Sequence, residues 1–167
     1  MTEATLFSTH RASAILRTSI PGAAEPAMRA AIEGGFRIVE FTLTTPDAFG
    51  LIERFAADPG LTVGAGTVLT VEDARRAVDA GARFLVSPVT DPDVIGAAVS
   101  HAVPMLAGTY TPTDMLLAHR AGARYQKLFP LPADPEAYIR ACPGPMPFLN
   151  IVPTSGGTEH NARLLDT

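Results

Sequence analysis

Three stretches of this chain open in the same way: Gly35-Phe-Arg-Ile-Val-Glu40, Gly81-Ala-Arg-Phe-Leu-Val86 and Gly122-Ala-Arg-Tyr-Gln-Lys127. Each follows an alanine-containing segment of helical period, namely Met28–Glu33, Ala74–Ala80 and Met115–Ala121. Glycine tolerates the left-handed backbone with which helices commonly end, so each repeat reads as helix, stop, then strand. Further strand candidates are Ala14–Arg17, Thr62–Leu69, Pro104–Gly108 and Phe148–Thr154, beside Ile38–Leu43, Phe84–Ser87 and Tyr125–Phe129. Several are apolar throughout rather than alternating, as a parallel sheet buried on both faces requires. Alternating strands and helices of this kind build either a (β/α)8 barrel or an open doubly wound sheet. The latter calls for G-x-G-x-x-G after its first strand, and Ala14–Pro21 holds nothing like it. The pattern therefore predicts an α/β protein of the (β/α)8 (TIM) barrel type, one domain over residues 1–167.

Helix starts are spelled consistently. Thr45-Pro46, Thr111-Pro112 and Asp134-Pro135 each place a capping side chain before a proline at the first helical position. Thr70-x-x-Asp73 and Thr111-x-x-Asp114 resemble capping boxes built with the shorter acid.

A net charge of −4 provides no electrostatic footprint for nucleic acid or an anionic membrane, so neither is an expected partner. No apolar stretch approaches the roughly 18–20 residues of a membrane span, and residues 1–10 do not read as a signal peptide. The lone cysteine, Cys142 in a turn-like Ala-Cys-Pro-Gly-Pro, fits a reducing, cytoplasmic setting and reads as a spectator thiol. His10, His101, His119 and His160 show no ligand spacing, so no metal or other cofactor is implied.

Two residues break the local rules. The chain has twelve arginines and a single lysine, and that lysine, Lys127, sits in Tyr-Gln-Lys-Leu-Phe-Pro at the heart of a predicted buried strand. Burial disfavours the ammonium form, and a neutral amine is what attack on a ketone requires. A lysine snorkelling from a strand end towards water would look the same. Glu40 repeats the anomaly inside Arg-Ile-Val-Glu-Phe-Thr-Leu, and both residues stand five positions after the glycine that ends the preceding helix. In a barrel, alternate strands fill a common interior layer, which would set Glu40 and Lys127 at one depth on the second and sixth strands. Such a pair is either a buried structural ion pair or a Schiff-base lysine with the acid/base that shuttles its protons.

Separated motifs carry a family resemblance over about residues 14–161: Ile-Leu-Arg17, Glu40-Phe-Thr-Leu, Gly64-Ala-Gly-Thr-Val-Leu69, Ser87-Pro88, Gly108-Thr-Tyr-Thr, Lys127-Leu-Phe-Pro130 and Pro153-Thr-Ser-Gly-Gly157. The chain resembles the 2-keto-3-deoxy-6-phosphogluconate (KDPG)/2-keto-4-hydroxyglutarate (KHG) aldolases, class I enzymes with a (β/α)8 fold. The resemblance implies cleavage of a 4-hydroxy-2-keto acid to pyruvate and an aldehyde, with Lys127 as Schiff-base lysine and Glu40 as general acid/base. It also implies that Thr67 and Pro88 line the keto-acid pocket and that Phe129 packs beside the imine. The turn of Thr154, Ser155, Gly156 and Gly157 would offer backbone N–H groups to a substrate phosphate. A homotrimer is implied as well. Without the resemblance, Gly64-Ala-Gly66 is a strand with close backbone approach, and Pro153–Gly157 is simply a turn.

The chain departs from the pattern in three places. Thr44 stands where many family members have an arginine for the pyruvyl carboxylate; Arg17 is the replacement, an arrangement similar to the phosphogalactonate (KDPGal) branch. Ser155 replaces the first glycine usual in the phosphate turn. The family continues for about one more βα unit beyond Thr167, so the expectation is seven strands and a barrel lacking its last unit. Another imine reaction on a sugar-derived keto acid, by a decarboxylase or dehydratase, and a degenerate acid-binding relative stay open as alternatives.

Overall fold

The computed structural model describes residues 6–154. Strands and helices alternate: β1 (Ser13–Leu16), α1 (Ala24–Glu33), β2 (Ile38–Thr42), α2 (Ala48–Ala56), β3 (Thr62–Gly66), α3 (Val71–Asp79) and β4 (Phe84–Val86). They continue with α4 (Pro92–Ser100), β5 (Met105–Thr109), α5 (Pro112–Ala121), β6 (Tyr125–Leu128), α6 (Pro135–Ala141) and β7 (Ile151–Pro153). All seven strands pair in sequence order, every pair parallel. The sheet curls, because Ser13 and Ile15 of β1 and Ile151 and Val152 of β7 border the same cavity. This is an arc of a barrel, seven strands with six connecting helices, with β1 and β7 as its edges among the described residues.

The repeat seen in the sequence is a repeat of backbone geometry. Gly35, Gly81 and Gly122 have φ of 106°, 98° and 103°, the left-handed region in which an L side chain is strained. At the helix starts, Thr111 and Asp114 form a complete capping box, and Asp134 accepts from the Ala137 N–H. Thr70 caps α3, but its hydroxyl donates to the Asp73 carboxylate, so the box there is half made. The expected start at Thr45-Pro46 is displaced: α2 begins at Ala48 behind Asp47, which is left-handed and supplies no side-chain cap. Thr45 is committed elsewhere, buried with its hydroxyl 3.1 Å from that of Thr42 and accepting from the Thr18 N–H. Asp91-Pro92, a start the sequence reading passed over, caps α4 through the Asp93 and Val94 N–H groups.

Side chains of the sheet divide by parity. Val39, Phe41, Val63, Ala65, Leu85, Met105 and Ala107 pack with Leu51, Ile52, Phe55, Ala77, Ile95 and Ala118 of the helices in one continuous apolar layer. Their neighbours Ile38, Phe84, Val86, Leu106 and Tyr125 form a second, smaller cluster on the concave face. Leu6 and Phe7 close its lower end: Phe7 meets the Tyr125 ring edge-on at 5.6 Å, and the Leu6 N–H donates to the Tyr125 hydroxyl. Each fully buried Phe, Leu, Ile or Val contributes about 1.5–3 kcal/mol relative to exposure, so the outer layer supplies most of the stability.

Candidate active site

Ile38 and Glu40 point inward from β2, and Tyr125 and Lys127 from β6; in each of these pairs the charged residue is the one nearer the C-terminal end. Glu40 and Lys127 border one cavity of about 390 Å³, floored by Val86, Leu106 and Tyr125. Glu40 is only 3% exposed and Lys127 8%. Among the described residues, neither the carboxylate nor the amine has a hydrogen-bonding side-chain partner. Two functional groups are thus held apolar-side down and polar-side open to the cavity, free to engage a guest.

Burial dominates their acid–base behaviour. It pushes the Glu40 carboxyl up to about 7, with the positive charges of Lys127 and Arg17 opposing the rise. Burial also holds the Lys127 amine below its ordinary value; Glu40 pulls it up and Arg17 pushes it further down. A carboxyl near neutrality and an amine eased towards its neutral form suit proton transfer and nucleophilic attack respectively.

Of the remaining sequence-selected residues, Arg17, Thr67, Pro88 and Phe129 stand at the C-terminal ends of their strands, outside the cavity lining. Arg17, just past β1, reaches over β2 and donates to the Thr67 hydroxyl just past β3, 3.1 Å away. Thr67 itself is left-handed, with φ of 60°. The Phe129 ring lies 5.1 Å from the Lys127 Nζ. The Pro88 backbone rests against Gly108, the β5 residue paired with Lys127; a Cβ there would come within 2.1 Å of the Pro88 carbonyl carbon. Thr154 borders the cavity at the end of β7, whereas Ser155, Gly156 and Gly157 lie outside the described residues. Thr44 contributes only a hydroxyl, 3.1 Å from that of Thr42.

Two supports escaped the sequence reading. Thr109 is buried and donates its hydroxyl to the Lys127 carbonyl, tying β5 to β6 beside the amine. Gln126 is fully buried, accepting from the Asn150 N–H and donating to the Ala123 carbonyl, which anchors the segment before β7 to β6. Both are polar residues inside apolar strands, the signal that singled out Glu40 and Lys127. Among the described residues no group of three His, Cys, Asp or Glu is placed to hold a metal. His119 instead packs against the Phe148 ring at 4.4 Å.

Comparison with known proteins agrees with this geometry. The family model "KDPG and KHG aldolase" matches residues 6–165. The chain is 39% identical over 151 residues to a probable 2-dehydro-3-deoxy-6-phosphogalactonate aldolase of Rhizobium meliloti, covering 89% of this chain and 71% of that one. It is 38% identical over 137 residues to a 2-dehydro-3-deoxy-phosphogluconate aldolase of Treponema pallidum, covering 80% and 64% respectively. The chain therefore spans about two thirds of the length of these relatives. Among solved structures, the KDPG aldolase of Legionella pneumophila superposes with a TM-score of 0.81 at 27% identity, over 91% of this chain and 75% of that one. In that crystal, pyruvate was captured at low pH as a covalent carbinolamine intermediate. The family match, the identities and the shared fold lead to one conclusion: this chain belongs to the KDPG and KHG aldolase family.

Proposed function

We propose that this chain is a class I aldolase that cleaves a 4-hydroxy-2-keto acid of the KDPG, KDPGal or 4-hydroxy-2-oxoglutarate type into pyruvate and an aldehyde. The observation that carries the reading is the buried Glu40 and Lys127 facing one cavity with no other described side chain satisfying either. The carbinolamine in the Legionella pneumophila relative supports the same covalent route here.

In the proposed sequence, neutral Lys127 Nζ attacks the C2 carbonyl carbon and gives a carbinolamine. Glu40, in its acid form, protonates the departing hydroxyl, which leaves as water and yields an iminium ion. Now a carboxylate, Glu40 takes the proton of the C4 hydroxyl as the C3–C4 bond breaks; the electron pair moves into the iminium and the aldehyde departs. The enamine is protonated at C3, and water hydrolyses the resulting imine to release pyruvate and free Lys127. Arg17 holds the keto-acid carboxylate, in the role left vacant by Thr44, and Thr67 and Pro88 frame the same group at the rim. The Phe129 face, 5.1 Å from Nζ, favours the cationic iminium over the neutral amine. Thr154, Ser155, Gly156 and Gly157 receive the far end of the substrate. We further propose a cytoplasmic homotrimer, in keeping with the single cysteine and with Leu69, Val71 and Val89, half-exposed apolar residues following adjacent strands β3 and β4.

The test is reductive trapping. Protein incubated with pyruvate and borohydride should gain a covalent adduct that peptide mapping assigns to Lys127. Absence of the adduct under conditions that trap a known class I aldolase overturns the proposal.

A further inference from the structure

The concave face of β3 is bare backbone over its C-terminal part. Of its inward positions Thr62, Gly64 and Gly66, the two glycines carry no side chain, and the space over each is filled by a side chain from a neighbouring strand. The Phe84 ring of β4 lies on Gly64, where an added Cβ would meet Cζ at 2.3 Å. The Glu40 carboxylate of β2 lies on Gly66, where an added Cβ would stand 1.8 Å from Oε1 and 2.7 Å from Cδ. Glu40 is paired in register with Gly64, so its side chain leans one inward position towards the C-terminal end and rests on Gly66.

The two glycines differ in what would give way. β3 cannot retreat at Gly66, since its carbonyl accepts the Leu43 N–H at 2.7 Å and Thr42 is its paired residue on β2. The obstructing group there is the far end of a flexible side chain with a cavity of about 390 Å³ in front of it. At Gly64 the obstruction is a ring only 1% exposed, with no comparable space. A methyl group at 66 therefore moves a carboxylate, and a methyl group at 64 collides with core.

We propose that Gly66 is a positioning residue for the acid/base: its missing side chain is the seat that fixes the Glu40 carboxylate against β3, at a set reach from Lys127. This rests on the aldolase reading above. A seated carboxylate is shielded on one side by backbone; displaced, it enters the cavity and its water.

The experiment uses Gly66→Ala with Gly64→Ala and Gly96→Ala as comparisons, Gly96 having nothing within 4 Å of an added Cβ. Four quantities are read: thermal stability, Lys127 adduct formation at saturating pyruvate with borohydride, solvent-deuterium exchange of the pyruvate methyl protons, and the pH midpoint of the Glu40 carboxyl. Gly66→Ala should melt close to wild type and still trap pyruvate at Lys127. Its exchange rate should fall about a hundredfold, the scale of a misplaced general base. The pH midpoint of the Glu40 carboxyl, followed by carbon NMR in the ligand-free protein, should move down towards the ordinary carboxylate range. Gly64→Ala should lose stability, and Gly96→Ala should change none of the four. Exchange at the wild-type rate with an unmoved Glu40 midpoint overturns the seat. Failure of the wild-type protein to trap pyruvate would instead overturn the aldolase reading, leaving the NMR midpoint to judge the seat by itself. Should Gly66→Ala fail to fold, the same substitution in a Glu40→Asp background decides the matter: the shorter acid clears the added Cβ, so recovery of folding supports the contact and continued failure overturns it.

Discussion

Glu40 and Lys127 stand in one layer of the barrel interior, related by a stagger of one residue per strand. Glu40 pairs with Gly64, and Gly64 with Phe84; Val86, two residues further, pairs with Leu106, and Leu106 with Tyr125. Lys127 lies two residues beyond Tyr125, so the offset from β2 to β6 is four residues over four strands. A closed eight-stranded barrel with a shear of about 8 has that same stagger. The acid, the Val86 side chain and the amine thus come from β2, β4 and β6 at one height.

Lys127→Arg keeps a positive charge and removes the nucleophile. The expected outcome is complete loss of the borohydride-trapped pyruvate adduct, with thermal stability near that of the parent. An adduct of undiminished yield on the variant, mapped elsewhere, would show that another amine does the chemistry.

The pH dependence of adduct formation should carry the signature of Glu40. Its folded pKa is raised to about 7, so the carboxylate is lost as pH falls through 7 rather than through the ordinary value near 4.5. The acid form, which expels water from the carbinolamine, is lost above that midpoint, so the Glu40 contribution to initial trapping rates should fall about tenfold per unit as pH rises beyond 7. In Glu40→Gln this limb above 7 should vanish, and the Lys127 amine should titrate lower still, because the charge that raises it is gone. The folded state binds the extra proton between about 4.5 and 7, so unfolding free energy should decline with rising pH across that window. Urea melts at several pH values should show the slope flattened in Glu40→Gln.

Arg17 has two roles that one substitution separates. Arg17→Gln removes the fork proposed for the substrate carboxylate, and KM for the keto acid should rise about 10–100-fold, the cost of about 1.5–3 kcal/mol for a charge-assisted contact. It also removes a positive charge that lowers the Glu40 pKa, so the midpoint of the Glu40 limb should move above 7. Steady-state kinetics against pH read both; a rise in KM with an unmoved limb would deny Arg17 its electrostatic influence.

Two stability predictions separate the outer layer from the helix caps. Phe41 is fully buried with its ring 5.1 Å from that of Phe55, and Phe41→Ala should cost about 3–5 kcal/mol. Thr111→Ala breaks the capping box of α5 and should cost about 1 kcal/mol. Denaturant titration measures both.

The fold was legible because its signals are local. Gly35, Gly81 and Gly122 announce the helix ends, and the apolar runs Phe84–Val86 of β4 and 105–108 of β5 announce strands covered on both faces. Thr45-Pro46 misled because a threonine can satisfy its hydroxyl through tertiary contacts, here with Thr42 and Thr18, instead of capping the next helix. Within the site, Glu40 and Lys127 were readable as polar residues in apolar strands, and the repeat itself placed them at equal depth. The bond from Arg17 to Thr67 and the hold of Thr109 on the Lys127 carbonyl were not readable. They join residues of different strands, and nothing in the local pattern of either partner marks the meeting.

The parity of the sheet has a consequence for how such a protein changes over time. Residues that hold the molecule together and residues that do its chemistry alternate along each strand yet never share a face, apart from the plug around Tyr125. Drift on the concave side can retune what the cavity accepts while the outer apolar layer keeps its packing. Arg17 and Thr44, at neighbouring strand ends, both lie outside the main core cluster, so moving the carboxylate contact proposed for Arg17 from one end to the other leaves that layer untouched.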